Sequence, residues 1–566
     1  MANNKFEAIV IGAGMSGSWA AKELCEKGVK TLLLERGRDV KHIENYPTTN
    51  LNPWEFDHRG DIPYDIKKAN PVISRCYAYR EDNQHFFVKD NDHPYVQDKP
   101  FDWIRGYQVG GKSLMWARQT QRWSDYDFDG PARDGFAVDW PIRYRDIAPW
   151  YSHVEKFVGI SGNKDGLDHL PDGEFLPAWP LNCVEEYFKE VVAKNYSDRH
   201  MIYGRCAHLT DPQEIHIQQG RGKCLNRTEC ERGCPFGGYF SANSSTIPWA
   251  LKTGNLTLRP YSVVESILFD KEKNKASGVR VIDTITKEVI EYEADVIFLN
   301  AGAINTAALL LNSTSETFPN GLGNHNGLLG KYAAFHNYRP TIRARCDDFG
   351  DKMSKGRRPT SGYVPRFRNV KKQETDFIRG YAAGFGASRW KRTSSAEGLG
   401  RELTDRIMND KPELSPWMVN SHMMGETIPK ESSYIALDNE QVDEWGMPLI
   451  KISMDYDDND EKMIQDFFEQ FTEMYEKAGF TDIKTHDSHK APGLDIHEMG
   501  GVRMGKDEKT SLLNEWNQLH SCRNVIVTDG ACMTSTSTQN PSLTYMALAA
   551  RASNHVIDEK KKGNEI

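Results

Sequence analysis

The stretch Phe6-Glu-Ala-Ile-Val-Ile-Gly-Ala-Gly-Met-Ser-Gly17 decides the fold of this chain. Its apolar first half predicts a buried strand, and the residues that follow have a helical pattern through Leu24. Thr31-Leu-Leu-Leu-Glu35 then predicts a second buried strand. A strand, a helix and a second strand in this order indicate a βαβ unit at the start of a parallel sheet.

Three glycines in this unit, Gly12, Gly14 and Gly17, have the spacing G-x-G-x-x-G. The first permits a tight turn, the second lets a pyrophosphate approach the backbone, and the third packs the helix on the strand. Glu35 follows about 20 residues later, where an acid accepts hydrogen bonds from ribose hydroxyls. A purely structural glycine turn is the alternative. The motif predicts a dinucleotide site without separating FAD from NAD.

Outside this unit the pattern alternates between strands and helices. The predicted elements are strands at 256–269, 276–282, Val296–Asn300 and Asn524–Asp529, and helices at Asp146–Val158, after Gly302 through Leu311, at 459–479 and from Pro541 to about Ile557. Residues 46–100 are rich in Pro, Asp, Asn and aromatics and are predicted to be irregular.

The nucleotide-binding pieces therefore occur at both ends and in the middle of the chain. We predict a discontinuous Rossmann-like dinucleotide domain of residues 1–135, 206–330 and 491–566. Residues 136–205 and 331–490 are predicted to form a substrate domain with a mixed sheet. The fold class is α/β, or α+β overall.

Composition excludes some classes of function. The chain has 566 residues, 39% hydrophobic content and a formal net charge of -9. Nucleic-acid binders need basic faces to neutralise phosphates, so an acidic chain argues against that class. No apolar run reaches the ~20 residues that span a bilayer. Because the first strand begins at Phe6, no signal peptide is expected, which taken alone predicts the cytoplasm.

Four separated pieces carry a resemblance to a known family. They are the N-terminal fingerprint, Gly110-Gly111-Lys-Ser113 before Trp116, His497-Glu-Met-Gly-Gly-Val-Arg-Met-Gly505, and Asn524-Val-Ile-Val-Thr-Asp529-Gly530 running on to Asn540-Pro541. In this order and spacing, the chain resembles the glucose–methanol–choline (GMC) oxidoreductases over nearly its whole length. The likeness is nearest to bacterial sugar dehydrogenases, of the glucoside 3-dehydrogenase and gluconate dehydrogenase kind, and to pyranose oxidases.

The resemblance implies a buried FAD and a fold like that of p-hydroxybenzoate hydroxylase. It implies that the fingerprint and Glu35 contact the ADP half of the cofactor and that Val264 lies near the adenine. Gly110, Gly111 and Ser113 are implied to lie close to the flavin. Asp529 and Gly530 are implied to lie beside the ribityl chain. Some relatives tether FAD through a His after the Gly-Gly turn. Met115 stands at that place here, and since a thioether cannot form the same bond, non-covalent FAD is expected.

Two residues are candidates for the chemistry of alcohol oxidation. Hydride transfer requires loss of the hydroxyl proton, and neutral imidazole is a suitable base near pH 7. His497 matches the catalytic His of the family, and Asn540 matches its partner, an amide that can hydrogen-bond the developing alkoxide. Asn540 could instead be only a helix N-cap before Pro541. Glu498 is predicted to be solvated or structural.

Three of the ten cysteines, Cys224, Cys230 and Cys234, lie within eleven residues. Thiolates so spaced can share a cluster or a metal, and a proline after the last cysteine is typical of ferredoxin motifs. In related sugar dehydrogenases a similar trio holds a 3Fe–4S cluster, which the resemblance implies here. Zn²⁺ or a 4Fe–4S cluster, with Cys206 or His208 as fourth ligand, and unliganded or disulfide-bonded thiols are the alternatives.

The resemblance also implies partners and a location. Its leading interpretation is the catalytic subunit of a sugar or glycoside dehydrogenase that passes electrons from FAD through the cluster to a c-type cytochrome subunit. Such subunits are exported folded with a small subunit that carries a twin-arginine (Tat) signal, so the periplasm is the predicted location. A pyranose oxidase that uses O₂ and a non-catalytic electron-relay flavoprotein are the alternative functions.

Overall fold

The computed structural model describes residues 4–227, 230–353, 358–392, 399–409 and 413–564. The helices are α1 (Met15–Glu26), α2 (Tyr64–Ala69), α3 (Asp125–Phe128), α4 (Gly130–Arg133), α5 (Tyr144–Val158), α6 (Cys183–Asn195), α7 (Glu214–Gln218), α8 (Thr246–Lys252), α9 (Ala303–Asn312), α10 (Gly400–Asn409), α11 (Asp458–Lys477) and α12 (Ser542–Lys561). The strands are β1 (Lys5–Ile11), β2 (Thr31–Leu34), β3 (Val96–Gln97), β4 (Ile160–Ser161), β5 (Phe175–Leu176), β6 (Ile202–Tyr203), β7 (Leu256–Arg259), β8 (Ser262–Asp270), β9 (Lys275–Asp283), β10 (Val289–Leu299), β11 (His336–Asn337), β12 (Pro340–Cys346), β13 (Gly362–Val364), β14 (Tyr381–Ser388), β15 (Lys391–Arg392), β16 (Glu413–Leu414), β17 (Trp417–Glu426), β18 (Tyr434–Val442), β19 (Pro448–Ser453), β20 (Thr481–Asp487), β21 (Gln518–Leu519) and β22 (Cys522–Val527).

The N-terminal sequence forms the middle of an eight-stranded sheet. Strand β1 pairs in parallel with β2 on one side and β10 on the other, and β10 pairs in parallel with β22. Residues Ala8 to Ile11 of β1 are buried, as expected for a parallel strand that is covered on both faces. The glycine fingerprint after β1, Glu35 after β2 and Asp529 after β22 are thereby brought to the carboxyl ends of parallel strands of one sheet, which confirms the predicted α/β fold.

A second, seven-stranded sheet runs in the order β20-β12-β17-β14-β13-β6, with β11 added beside β17. Every pairing described in it is antiparallel, whereas the sequence predicts a mixed sheet. Side chains of β17 alternate between its faces. Met423 belongs to the hydrophobic core under α11, and His422 and Met424 line a cavity on the other face.

The packing differs from the predicted domain limits in two places. Helix α5 was assigned to the substrate domain, but its buried residues belong to the core of the first sheet, where α5 packs on α12. Strand β3, from the predicted dinucleotide domain, pairs with β19 of the other part. The strands of the two large sheets nevertheless fall within the predicted ranges.

Some predicted elements differ in extent. The predicted strand at 256–269 is broken into β7 and β8 at Pro260 and Tyr261, and Tyr261 has a φ of 56°. The predicted helix at 459–479 is α11, and the C-terminal helix continues beyond Ile557 to Lys561. Within the part of the chain that the structure describes, no helix combines the length and apolarity needed to cross a bilayer.

Candidate active site

A cavity of about 510 Å³ lies where loops of the first sheet meet the second sheet. Of the predicted site residues, its walls include Gly12, Gly14, Glu35, Gly111, Ser113, Val264, His497, Asp529, Gly530 and Asn540. Gly17 and Gly110 do not line it and instead shape the loops behind the wall. The structure thus brings the predicted cofactor residues and the predicted catalytic pair into one cavity.

The glycine loop between β1 and α1 is packed closely on its own backbone. A Cβ atom on Gly17 would lie 1.9 Å from the Gly12 carbonyl oxygen, so only glycine fits there. A Cβ on Gly14 would meet nothing within 4 Å, because this residue borders the open cavity. Helix α1 begins at Met15, and its free N–H groups and dipole favour an anion at this point.

Glu35 lies at the base of that loop. Its carboxylate accepts hydrogen bonds from the Ala13 and Gly37 backbone N–H groups, each at 3.0 Å. Burial raises the pKa of Glu35, and the two backbone hydrogen bonds oppose this rise. Its remaining lone pairs can accept hydroxyl donors. Val264, on β8, lines the same end of the cavity.

The second glycine turn packs against the first. Gly110 has a φ of +93°, and a Cβ on it would lie 1.7 Å from Asn243 Oδ1. A Cβ on Gly111 would approach Gly14 Cα to 3.3 Å, which shows how closely the two loops meet. The Ser113 hydroxyl donates to the Gly110 carbonyl at 2.6 Å and accepts from the Ala242 N–H at 3.0 Å. Ser113 therefore stabilises the turn.

Asp529 and Gly530 follow β22 at the middle of the cavity. The Asp529 carboxylate accepts from the Gly302 N–H at 2.8 Å, the Thr306 hydroxyl at 2.6 Å and the Ala531 N–H at 2.9 Å. Burial raises the pKa of Asp529 to about 6 despite these hydrogen bonds. A Cβ on Gly530 would lie 2.3 Å from the Glu498 carbonyl oxygen, so this backbone approach requires glycine.

Several buried polar atoms in the cavity wall have no protein partner. They are Asn300 Oδ1, Asp495 Oδ1, Glu498 Oε1 and the Tyr545 hydroxyl. Unpaired buried polar atoms are uncommon in native proteins and call for a ligand or water. Together with an anion site at a helix N-terminus and a carboxylate beside it, they fit an FAD molecule.

The predicted catalytic pair is assembled as the sequence indicates. The Asn540 amide nitrogen lies 3.3 Å from His497 Nε2, although the two residues are 43 positions apart. Burial, and then the nearby His336 and Lys112, hold the pKa of His497 well below its ordinary value. The ring is therefore neutral near pH 7, as a general base must be. Glu498 is buried rather than solvated, and its carboxylate pairs with Lys112 Nζ at 2.7 Å.

Asn540 does not cap the C-terminal helix. Helix α12 begins at Ser542 with Pro541 at the N-cap position, and no side chain forms a cap hydrogen bond there. The alternative in which Asn540 is only an N-cap is therefore wrong. Its side chain contacts His497 instead.

Sequence reasoning missed several side chains of the cavity. His336 Nδ1 lies 2.9 Å from His497 Nδ1, and Asp495 accepts from the backbone N–H groups of both histidines. The Tyr338 ring lies between Tyr77, tilted at 43° with centroids 5.9 Å apart, and His422, edge-on at 67° with centroids 5.3 Å apart. No motif marks these residues, because they come from separate strands and loops.

The three clustered cysteines lie close together beside the cavity. Burial, followed by the charges of Cys230 and Cys234, raises the pKa of Cys224 to about 11. The Cys230 sulfur lies 3.7 Å from Nε2 of the buried His208. No disulfide bond forms among the described residues. The predicted alternative of disulfide-bonded thiols is therefore absent from this part of the chain.

Two buried arginines face this cysteine loop. Arg118 also lines the cavity, and Arg221 donates to carbonyl oxygens of Gly237 at 3.0 Å and Val158 at 2.7 Å. Nε of Arg118 and Nη2 of Arg221 have no partner, and neither guanidinium pairs with a carboxylate among the described residues. Burial lowers the pKa of Arg221 to about 9, and Cys234 opposes this fall. A buried cation without an anion is costly, so this loop suits an anionic occupant.

Among the described residues, the three thiols are not grouped as the ligands of a single metal ion would be. Sulfur ligands of one zinc ion lie about 3.8 Å apart, given a Zn–S bond of about 2.3 Å. Among the described residues, the one group of three that could share an ion is His336, Asp495 and His497, and no cysteine belongs to such a group. In a polynuclear cluster each thiolate binds a different iron, so that alternative does not require the three thiols to share one ion.

Known proteins resemble this chain along its whole length. Two sequence models described as GMC oxidoreductase match residues 6–331 and 429–549. The chain is 26% identical to 2-methyl-1,2-propanediol dehydrogenase of Mycolicibacterium austroafricanum, over 97% of this chain and 95% of that protein. It is 24% identical to the fructose dehydrogenase large subunit of Gluconobacter japonicus, over 98% of each.

The fold is also that of a solved flavoenzyme. Formate oxidase of Aspergillus oryzae superposes with a TM-score of 0.60 at 13% identity, over 99% of each chain. The family models cover more than half of this chain, and they include the fingerprint, His497 and Asn540. The chain therefore belongs to the GMC oxidoreductase family, whose members are FAD-dependent enzymes that oxidise the CH–OH group of an alcohol.

Proposed function

We propose that this chain is the catalytic subunit of an FAD-dependent sugar or glycoside dehydrogenase, which oxidises a secondary ring hydroxyl, C3 of a glucoside, to a ketone. The observation that carries the proposal is the neutral His497, which presents Nε2 beside the Asn540 amide in the cavity wall. The fructose dehydrogenase large subunit, which is similar over its whole length, supports a sugar as substrate.

His497 is the base in this mechanism. As the substrate O–H bond breaks, His497 Nε2 takes the proton and becomes an imidazolium. The Asn540 amide donates a hydrogen bond to the oxygen on which negative charge develops. FAD, when bound, supplies the acceptor for the hydride that leaves the carbinol carbon.

The uncharged wall opposite this pair supports a neutral polyol. Burial lowers the pKa of His422 to about 4 and raises the pKa of Tyr338 to about 12, so both side chains are neutral at pH 7. Tyr77 also lines the cavity and leaves 59% of its surface accessible. Aromatic faces with hydroxyl and imidazole groups suit a sugar ring, which is apolar on its faces and polar at its edge.

The exit for electrons is proposed to be the cysteine loop. Cys224, Cys230 and Cys234 would hold a 3Fe–4S cluster, which supplies one-electron transfer when bound. The guanidinium groups of Arg118 and Arg221 would balance the negative charge of its thiolates. Arg118 borders both the cavity and the loop, which supports a short path from the flavin site to this loop.

The proposal includes partners and a location. A c-type cytochrome subunit would receive the electrons, and a small Tat-bearing subunit would carry the folded complex to the periplasm. The name of the relative from Gluconobacter japonicus, a large subunit, supports a multi-subunit assembly. The cytoplasm is the alternative location, and fractionation with a periplasmic marker enzyme distinguishes the two.

FAD is proposed to be held without a covalent bond. Met115 lines the cavity after the Gly110-Gly111 turn, and its thioether cannot form the bond by which a histidine at this place tethers FAD. Acid precipitation should release yellow flavin into the supernatant. A pellet that stays yellow would overturn this part of the proposal.

A sugar panel with an artificial electron acceptor tests the proposed activity. NMR of the product should show a ketone at C3 of a glucoside, and an oxygen electrode should record little uptake. Rapid O₂ consumption with peroxide would identify a pyranose oxidase instead. A flavin that no alcohol bleaches would indicate a non-catalytic electron-relay subunit.

A further inference from the structure

His336 is a buried histidine directly behind the proposed base. It belongs to the short strand β11, and its backbone N–H donates to Asp495 Oδ2 at 2.9 Å. Its ring meets the ring of His497 edge-on, with centroids 5.0 Å apart and planes at 88°. The two residues are 161 positions apart in the chain, so this contact is made by the tertiary fold.

The position of the proton on His336 follows from its neighbours. Nε2 lies 3.1 Å from the Thr536 carbonyl oxygen and 3.0 Å from the Ser537 carbonyl oxygen. Carbonyl oxygens only accept hydrogen bonds, so Nε2 carries a hydrogen. Burial lowers the pKa of His336 to about 4, which keeps the ring neutral. Nδ1 of His336 is therefore a bare acceptor.

This acceptor determines the tautomer of His497. The two Nδ1 atoms lie 2.9 Å apart, and two bare lone pairs cannot form a hydrogen bond, so His497 Nδ1 donates. A neutral imidazole has one N–H, which is then used on this side. Nε2 of His497 is left bare, where it faces the Asn540 amide and the cavity.

We propose that His336 is a positioning residue that holds His497 in the Nδ1–H tautomer, so that Nε2 is free to take the substrate hydroxyl proton. This inference rests on the proposed role of His497 as the base. The substrate O–H bond breaks and an N–H bond forms at Nε2; FAD, when bound, would accept the hydride with its electron pair from the carbinol carbon. Since the hydrogen on His336 Nε2 is held by two carbonyl groups, the captured proton can leave only from the cavity side.

Two substitutions separate this role from a structural one. In His336→Asn, the amide oxygen stands near the place of Nδ1 and can accept from His497. In His336→Gln, the longer side chain places its amide near Nε2, where it can donate to the Thr536 and Ser537 carbonyls but offers His497 no acceptor. Tautomer control predicts that the Asn variant is the faster enzyme. A structural role in satisfying the two carbonyls predicts the reverse.

Stopped-flow reduction of the flavin by a saturating sugar is the measurement. We expect His336→Gln to lower the rate of reduction about 10- to 100-fold with little change in apparent KM or FAD content. Its solvent deuterium isotope effect should increase, because proton transfer becomes slower. His336→Asn should recover most of the rate.

Three outcomes would overturn the inference or its premise. If His336→Gln reduces its flavin as fast as the wild type while His497→Ala is inactive, the proposed role of His336 is wrong and the proposed function is unaffected. A normal rate of flavin reduction in His497→Ala would show that His497 is not the base. A stoichiometric metal bound by the wild type and lost in both His336 variants would mean that the two imidazoles share an ion.

Discussion

The base site around His497 and the cysteine loop are both buried, but they differ in how far the protein satisfies its own polar groups. At the base site, His497 and His336 use all four ring nitrogens on protein partners: each other, Asn540 and two carbonyl groups. At the cysteine loop, Arg118 and Arg221 have unpaired N–H groups and no carboxylate partner among the described residues.

This difference indicates what each region needs from outside the chain. The base site is ordered by the protein alone, so its tautomer and orientation exist before substrate arrives, which reduces the reorganisation needed for catalysis. At the cysteine loop the charge of Glu231 acts on Arg118, but no carboxylate among the described residues lies within salt-bridge distance of Arg118 or Arg221, so an added anionic group would balance both. The protein pairs the ring nitrogens of the base site itself, whereas at the cysteine loop it leaves guanidinium N–H groups unpaired.

The strongest test of this contrast is Cys230→Ser. Because a serine hydroxyl is a poor iron ligand, we expect the protein to lose its cluster and with it all reduction of a soluble c-type cytochrome. Anaerobically purified wild type should hold about three irons with a low-temperature EPR signal. The variant should lack both, while its flavin is still reduced by sugar at a normal rate.

Cys183→Ser is the matched control for that variant. Cys183 is partly buried like Cys230 but begins α6, in the second core and away from the loop. It should keep both iron and cytochrome reduction. If wild-type protein without iron reduces the cytochrome fully, the three cysteines are ordinary thiols that hold no cluster.

The next largest effect is expected at the base site. His497→Ala should retain FAD, because the cofactor contacts lie elsewhere in the cavity, but flavin reduction by sugar should fall ~10²–10⁴-fold. Single-turnover stopped-flow measurements give this rate directly. Reduction at the wild-type rate would show that another group takes the proton.

The sequence predicts the parts of the molecule that depend on local spacing. The βαβ unit follows from three glycines and two apolar runs, and His497 and Asn540 lie in motifs that the family resemblance identifies. Even the limits of α12 are nearly correct, because its helical pattern is continuous. Such features are encoded within short stretches of the chain.

Other features depend on contacts between distant segments and carry no local signal. His336 becomes important only because β11 is added beside β17, which puts its ring against His497. The aromatic group in the cavity joins Tyr77 from an irregular segment, Tyr338 from the link between β11 and β12, and His422 from β17. The location of α5 in the first core is set by its packing on α12, which periodicity cannot reveal.

Asn540→Ala should have a smaller effect than loss of the base. The variant loses the donor at 3.3 Å from His497 Nε2 and the donor for the substrate oxygen, while the base remains. Removal of one such donor lowers the rate roughly 10²–10³-fold. This loss lies in the lower half of the ~10²–10⁴-fold range that we expect for His497→Ala. Asn540→Asp is a useful comparison, since a carboxylate there would repel the developing alkoxide and should be slower still. An Ala variant that matches the wild type in stopped flow would assign Asn540 a structural role.

The smallest expected effect concerns pH. The active form of His497 is the neutral ring, so a lower pKa keeps flavin reduction fast to lower pH, and the wild-type rate should stay level well below pH 6.5. Lys112, paired with Glu498, is one cause of the low pKa because its charge disfavours the imidazolium. Lys112→Met should therefore raise the pKa of His497 and move the acid limb of the rate profile to higher pH. Glu498→Gln leaves Lys112 unneutralised and should move the limb the other way.

Both residues line the cavity, so FAD content is measured first, and only variants with full flavin are compared. Shifts in the same direction for both variants would mean that the limb reports a group other than His497.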